Sequence, residues 1–152
     1  MGFALTSPAF ANGANIPAAY TCEGVNHSPA LAWSGAPPGT KSFVLIVDDP
    51  DAPSGTFTHW VLYDVPANTS SLAEAPAHKT AGKQGRNDFG KTGYGGPCPP
   101  RGHGAHRYFF RLFALALASL SLADGSARAE VERAMKGHVL GQAEWRGLYE
   151  RK

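Results

Sequence analysis

Apolar positions along the chain recur mostly with the period of strands, and with that of a helix only near the end. Ser42-Phe43-Val44-Leu45-Ile46-Val47 is a continuous β-branched and aromatic run. Such a run predicts a strand buried on both faces. It stops at Asp48-Asp49-Pro50-Asp51-Ala52-Pro53, where the prolines end ladder pairing. Thr58 to Val65 forms the next strand, closed by Pro66. A period of two places His59, Val61, Tyr63 and Val65 on one face and Trp60, Leu62 and Asp64 on the other. His106 to Leu115 resumes strand character, with His106, Tyr108, Phe110 and Leu112 sharing a face.

Weaker segments fill the spaces between. Phe3 to Ile16, broken by Pro8 and Asn12-Gly13, predicts an edge strand and turns, and Tyr20 to Pro29 a loop. Leu31 and Trp33 alternate as a short half-buried strand. From Pro66 to Ala105 neither period persists, and so long a loop in a compact domain usually carries function. After Asp124-Gly125-Ser126, Val131, Met135 and Val139 recur every four positions, the stripe of an amphipathic helix with Ser126 as its N-cap. Gly137 and Gly141 weaken that helix and suggest two short pieces. Trp33, Trp60 and the Phe109–Phe113 aromatics are expected in the core, and His78 and His138 in solvent. Strands first and helix last predict a mainly β chain, a β-sandwich of antiparallel sheets with a C-terminal helical segment.

Composition narrows the classes. The chain has 152 residues, 43% of them hydrophobic and 17% charged, as expected of one globular domain over 1–152. A net charge of +2 without a Lys/Arg cluster argues against nucleic acid or an anionic bilayer as partner. The 18 glycines and 12 prolines fit many turns between short strands. The first residues show neither a basic region nor a long apolar run, so a cytoplasmic location is the default expectation. Cys22 and Cys98 are too few for a zinc signature. They could pair, whereas a cytoplasmic home favours free thiols, and the sequence leaves both open.

Candidate chemistry collects at strand ends. Asp49 and Asp51 follow one strand, His59 opens the next, and His106 opens the one after the Gly/Pro-rich loop Tyr94–Ala105. Three chemistries suit this set. Asp and His could ligate zinc or iron, although the spacing matches no strong metal signature. An Asp-oriented His could act as general base in a hydrolase or lyase, with only Ser54 and Cys98 nearby as nucleophiles and no Gly-x-Ser-x-Gly elbow around either. The third is a pocket for a small anion, with histidines, Tyr108 and the N–H groups of Gly95, Gly96 and Gly102 as donors. The aspartates would then orient the histidines or face a cationic group, so a zwitterion suits both signs. The lack of a credible nucleophile favours binding over catalysis, with no cofactor.

Taken together, Asp49-Pro50-Asp51-Ala52-Pro53, His59-Trp60, Gly95-Gly96-Pro97-Cys98-Pro99-Pro100 and Gly104-Ala105-His106-Arg107-Tyr108 resemble the phosphatidylethanolamine-binding protein family, and within it the bacterial Raf kinase inhibitor-like branch. Ile16-Pro17, Tyr20-Thr21-Cys22, Ser28–Trp33, Gly137–Leu140 and Gly147-Leu148-Tyr149 extend the resemblance over nearly the whole chain. It implies a β-sandwich with a pocket for phosphate, acetate or a phosphorylethanolamine headgroup. Carried over, that pocket would use Asp49, Asp51, His59, Gly96, Pro99, Pro100, His106 and Tyr108. It further implies a binding protein, not an enzyme, in a family whose members include inhibitors of protein kinases or proteases, and whose bacterial members point to a homodimer. This chain departs from the eukaryotic pattern in being shorter and in having a reduced C-terminal helical tail.

Overall fold

Val44 and Ile46 point to one side of a strand while Phe43, Leu45 and Val47 point to the other, and both sides are covered. That strand organises the fold in the computed structural model, which describes residues 2–75 and 81–152. The elements in chain order are β1 (Ala4–Thr6), a 3-10 turn (Ala18–Tyr20), β2 (Leu31–Ser34), β3 (Ser42–Asp49), β4 (Phe57–Pro66), β5 (Ser71–Leu72), β6 (Lys83–Gln84), β7 (His106–Leu115), α1 (Arg128–Met135) and β8 (Val139–Tyr149). A three-stranded antiparallel sheet, β1-β2-β5, faces a five-stranded one, β6-β4-β3-β7-β8. Between them Leu5, Leu31, Trp33 and Leu72 meet Phe43, Leu45, Val47, Trp60, Leu62, Tyr108, Phe110 and Leu112. On the outer face of the large sheet, Val131 and Met135 of α1 cover Val44, Ile46, Val61 and Tyr63. The mainly β sandwich expected from the pattern is what forms.

The C-terminal segment differs from the expected helix. The helix ends at Met135, and Gly137 at φ +85° turns the chain in a conformation that other residues avoid. Val139 therefore opens β8, which pairs with β7 along its length. The alternation was present in the sequence, with Gln142, Glu144 and Arg146 outward and Ala143, Trp145 and Gly147 inward. Its inward side is partly Gly and Ala, which muted the apolar signal. Nor is Ser126 the N-cap. Its hydroxyl donates to the Ala123 carbonyl, while Glu130 accepts from the Ala127 N–H at the helix start. His138 is exposed as expected, and His78 lies outside the described residues.

Two β-bulges overturn the simple faces of β4. Phe43 pairs with Val65 but Leu45 with Leu62, so Tyr63 and Asp64 together oppose Val44. Asp64 absorbs the extra residue at φ +54°, and Val65 joins Trp60 and Leu62 between the sheets. At the other end Val47 pairs with Trp60 and Asp48 with Thr58, which leaves His59 as the inserted residue. His59 thus leaves the Val61–Tyr63 face and meets Tyr108, with ring centroids 5.2 Å apart. Bulges commonly re-aim a side chain in this way beside a functional site.

Candidate functional site

The loop Tyr94–Arg101 is held from behind by the segment Tyr20–Asn26. Tyr94 donates to the Tyr20 carbonyl at 2.6 Å, Gly96 N–H to Asn26 Oδ1 at 2.9 Å, and Cys22 N–H to the Pro97 carbonyl at 3.1 Å. A disulfide joins Cys22 to Cys98, with Cα atoms 5.4 Å apart, and there is no free thiol. Of the two states that the sequence left open, the structure has the bridged one, because the tertiary fold brings two loops together that lie 76 positions apart. Arg151 adds a bond to the Pro99 carbonyl. The loop is stiffened from several sides and forms one wall of a cleft of about 480 Å³.

The cleft lies at the end of the large sheet. Asp49 of β3, His59 of β4, and His106 and Tyr108 of β7 line it together with Pro99 and Pro100. Six of the eight expected residues therefore converge. The other two serve elsewhere. The Asp51 carboxylate accepts three hydrogen bonds from Arg107, from its backbone N–H, Nε and Nη2, at 2.8–3.0 Å. That pairing holds the carboxyl down at about pKa 2. Gly96 is required for close approach: a Cβ there would stand 2.3 Å from both Asn26 Oδ1 and the Tyr20 carbonyl oxygen.

The expected glycine donors are likewise committed within the protein. Gly95 N–H bonds the His59 carbonyl, Gly96 N–H bonds Asn26, and Gly102 N–H bonds the Arg151 carbonyl. None is left for an anion.

The histidines have defined roles. Nδ1 of His59 lies 2.7 Å from the Gly95 carbonyl, which can only accept, so Nδ1 carries the proton. Burial pushes the His59 pKa down, against the opposing pull of the Gly95 carbonyl and Asp49. Nδ1 of His106 sits 2.7 Å from Asp49 Oδ2, and its Nε2 sits 2.7 Å from Nδ1 of His103. Asp49, His106 and His103 thus form a chain from a buried carboxylate to an exposed imidazole. Both ring nitrogens of His106 are occupied, so it builds the wall and presents no free donor. Tyr108 is 1% exposed, and its hydroxyl lies near the Asp49 carboxylate without forming a well-aligned hydrogen bond among the described residues. Burial, then the charge of the adjacent Asp49, raises its pKa.

The lining also includes Asp88, Phe57 and Phe89, and the turn Ser54–Thr56. Apart from Ser54 these escaped the sequence reading, since Asp88 and Phe89 fall in the stretch without periodicity. Their signal was Asn87-Asp88-Phe89-Gly90, a turn cluster. Buried Asn87 holds that turn, accepting from the Phe89 and Lys91 N–H groups and donating to the Gly93 carbonyl. Phe57, His59 and Phe89 then pack within 4.7–5.4 Å of one another. Among the described residues no Lys or Arg lines the cleft, whereas two carboxylates do. Of the proposed nucleophiles, Cys98 is oxidised and Ser54 bonds to neither imidazole. Among the described residues no three His, Cys, Asp or Glu side chains are grouped to hold a metal ion, and no helix is long and apolar enough to cross a membrane.

The lowered pKa of His59 has a measurable consequence. Its unfolded value is near 6.5, so at mildly acidic pH the unfolded chain binds the extra proton and the folded chain resists it. The stability contributed by this residue is full above about pH 6.5 and falls as the pH drops below it. Urea midpoints measured from pH 7.5 to pH 5 should therefore decline less steeply in His59→Phe than in the parent. Equal slopes would remove His59 as the responsible group.

Comparison with known proteins agrees with this architecture. Residues 6–150 match the family model described as phosphatidylethanolamine-binding protein. A UPF0098 protein of Aquifex aeolicus is 57% identical over 95% of this chain and 86% of its own length, and one of Pyrococcus horikoshii is 51% identical over 96% and 76%. Among solved structures, a phosphatidylethanolamine-binding protein homologue from Chlamydia trachomatis superposes with TM-score 0.92 at 40% identity, covering 99% of both chains. Escherichia coli YbcL superposes with TM-score 0.92 at 36% identity, covering all of both. The carboxypeptidase Y inhibitor, solved with its cognate proteinase, shares the fold at TM-score 0.58 and 20% identity, over 99% of this chain and 83% of its own. The chain belongs to the phosphatidylethanolamine-binding protein family.

Proposed function

We propose that this protein binds a small zwitterionic ligand of the phosphorylethanolamine type in the cleft, and that it acts by binding and not by catalysis. The observation that carries the reading is the buried hydroxyl of Tyr108 on the cleft lining, which makes no well-formed hydrogen bond among the described residues and has only the Asp49 carboxylate close to it. A buried polar group without a partner costs roughly 1–3 kcal/mol, and a ligand oxygen placed there would recover much of it. The carboxylates of Asp49 and Asp88, with the Phe57 and Phe89 rings beside them, suit an ammonium group at the other end of the ligand. A bare anion finds no cationic side chain here, so the lining favours the zwitterion over inorganic phosphate or acetate.

Titration calorimetry with phosphorylethanolamine should show saturable binding, tighter than with either phosphate or ethanolamine. Tyr108→Phe gives the sharper test. It removes the unsatisfied hydroxyl, so the unliganded protein should be as stable as the parent or more so. Affinity should nevertheless fall by about five- to tenfold, the value of one hydrogen bond in a dry site. If Tyr108→Phe binds as tightly as the parent, the reading fails.

Inhibition of a protein kinase or protease belongs to this proposal only at the level of the family. The inhibitor solved with its proteinase lends this chain its fold, and no surface feature singles out such a partner. Homodimerisation, implied by the same resemblance, is checked by light scattering on the purified chain.

A further inference from the structure

The donors that the cleft lacks are gathered on the opposite face of β7. Arg107, Phe109 and Arg111 project outward there, beside Arg146 of β8, which pairs with Phe109. The Phe109 ring is only 9% exposed because guanidinium groups wall it in. Their central carbons lie 5.5 Å (Arg107), 4.7 Å (Arg111) and 5.6 Å (Arg146) from its centroid. A ring can hold cations over its face, but it does not neutralise them.

Two of the three arginines have carboxylate partners, Asp51 for Arg107, and Asp48 and Glu144 for Arg111. Arg146 forms no ion pair among the described residues. It opens instead onto a groove of about 280 Å³ lined by Asn12, Gly13, Arg107, Arg146 and Leu148.

The polar side chains of this groove offer only donors. Asn12 Oδ1 is already taken by the Arg146 backbone N–H at 3.0 Å, and the Gly13 N–H bonds the Arg146 carbonyl at 2.7 Å. Those two bonds fix the Asn12-Gly13 turn against the strand, with Gly13 at φ +84°. Among the described residues the amide nitrogen of Asn12 has no hydrogen-bond partner. Asp51 engages the backbone N–H, Nε and Nη2 of Arg107 and leaves Nη1 unpaired. The Arg146 guanidinium likewise forms no hydrogen bond among the described residues, and its central carbon lies over the Phe109 ring.

We propose that this groove is a second binding site, separate from the cleft, for an oxyanion of the carboxylate or phosphoryl class. Arg146 would engage it through its two-pronged edge, with Asn12 Nδ2 and Arg107 Nη1 closing the sides. Planar guanidinium groups match such anions in a way that a lysine ammonium does not.

The test is a residue-resolved NMR titration of the full chain with methyl phosphate and, separately, with acetate. Saturable shifts are expected at the Asn12 side-chain amide, the Gly13 N–H and Arg146 Nε–H with at least one of the two, and the tighter of them identifies the class. Arg146 is exposed, so its variants should fold. Arg146→Ala should weaken binding about tenfold or more, the loss of one charge-assisted pair. Arg146→Lys should also weaken it, since charge is kept but the fork is lost. Asn12→Asp keeps an acceptor for the Arg146 N–H while replacing the donor with a negative charge, and should abolish binding. Tyr108→Phe should leave the groove titration unchanged. Absence of saturable shifts with both probes, or parent-like titration of Arg146→Ala, would overturn the proposal. Parent-like binding by Arg146→Lys would equally overturn the two-pronged mode.

Discussion

Cys22→Ser/Cys98→Ser, or reduction of the parent, is expected to lower the melting temperature by about 5–15 °C. The cross-link closes a ring between positions 76 apart, whose loss restores roughly 4 kcal/mol of chain entropy to the unfolded state in the entropic account. Delivered values are nearer about 2–4 kcal/mol, and a domain of this size shifts by about 2–4 °C for each. Differential scanning calorimetry with and without reductant gives the number. Cys98 also lines the cleft, so the reduced protein should bind phosphorylethanolamine more weakly. The Pro97–Pro100 wall would still keep its hydrogen bonds to Cys22, His103 and Arg151. A melting temperature unchanged within a degree or so would mean that those bonds and the packing suffice, and the argument for the cross-link would fail.

Asp48→Ala should cost about 3–5 kcal/mol, nearer the lower figure because the arginines reach water. Asp48 is 2% exposed on the outer face of β3, where Arg111 and Arg128 converge on its carboxylate at 2.9–3.4 Å. Arg128 opens α1 and also bonds the Thr58 hydroxyl, so one carboxylate ties the helix to two strands. Removing it leaves two partly covered cations facing each other with no countercharge but Glu132 and Glu144 at the rim. Urea unfolding measures the loss, and Asp48→Asn, which keeps an acceptor, should lose less. A cost below about 1 kcal/mol would place the pair among ordinary surface bridges. Asp49, one position on, faces the other way into the cleft. The pleat alone separates a structural carboxylate from a ligand-facing one.

Much of the fold was legible because strong periodicity reports burial directly. β3 read as buried on both faces and is. His106, Tyr108, Phe110 and Leu112 share a face because β7 runs without a bulge through them. Weak signals failed for physical reasons. β5 and β6 are two residues each, too short for any period, and β8 hides an inward face of small residues. The Val131–Met135–Val139 stripe was real only up to Gly137.

The loop from Tyr94 to Tyr108 marks the boundary between the two kinds of information. By itself the sequence determined which residues could do chemistry and at which strand ends they stand: Asp49, His59, His106 and Tyr108 all line the cleft. Local composition helps set strand ends, because the proline-containing turn after Asp49 and Gly137 before Val139 interrupt pairing there. Only the tertiary structure decided how those residues are used. A bulge turned His59 toward Tyr108, and long-range packing joined Cys22 to Cys98 and brought Asp88 and Phe89 to the rim. Acceptors from distant segments, two backbone carbonyls and the Asn26 side chain, consumed the glycine N–H groups. Those outcomes depend on which strand lies beside which, and no local pattern of residues carries that.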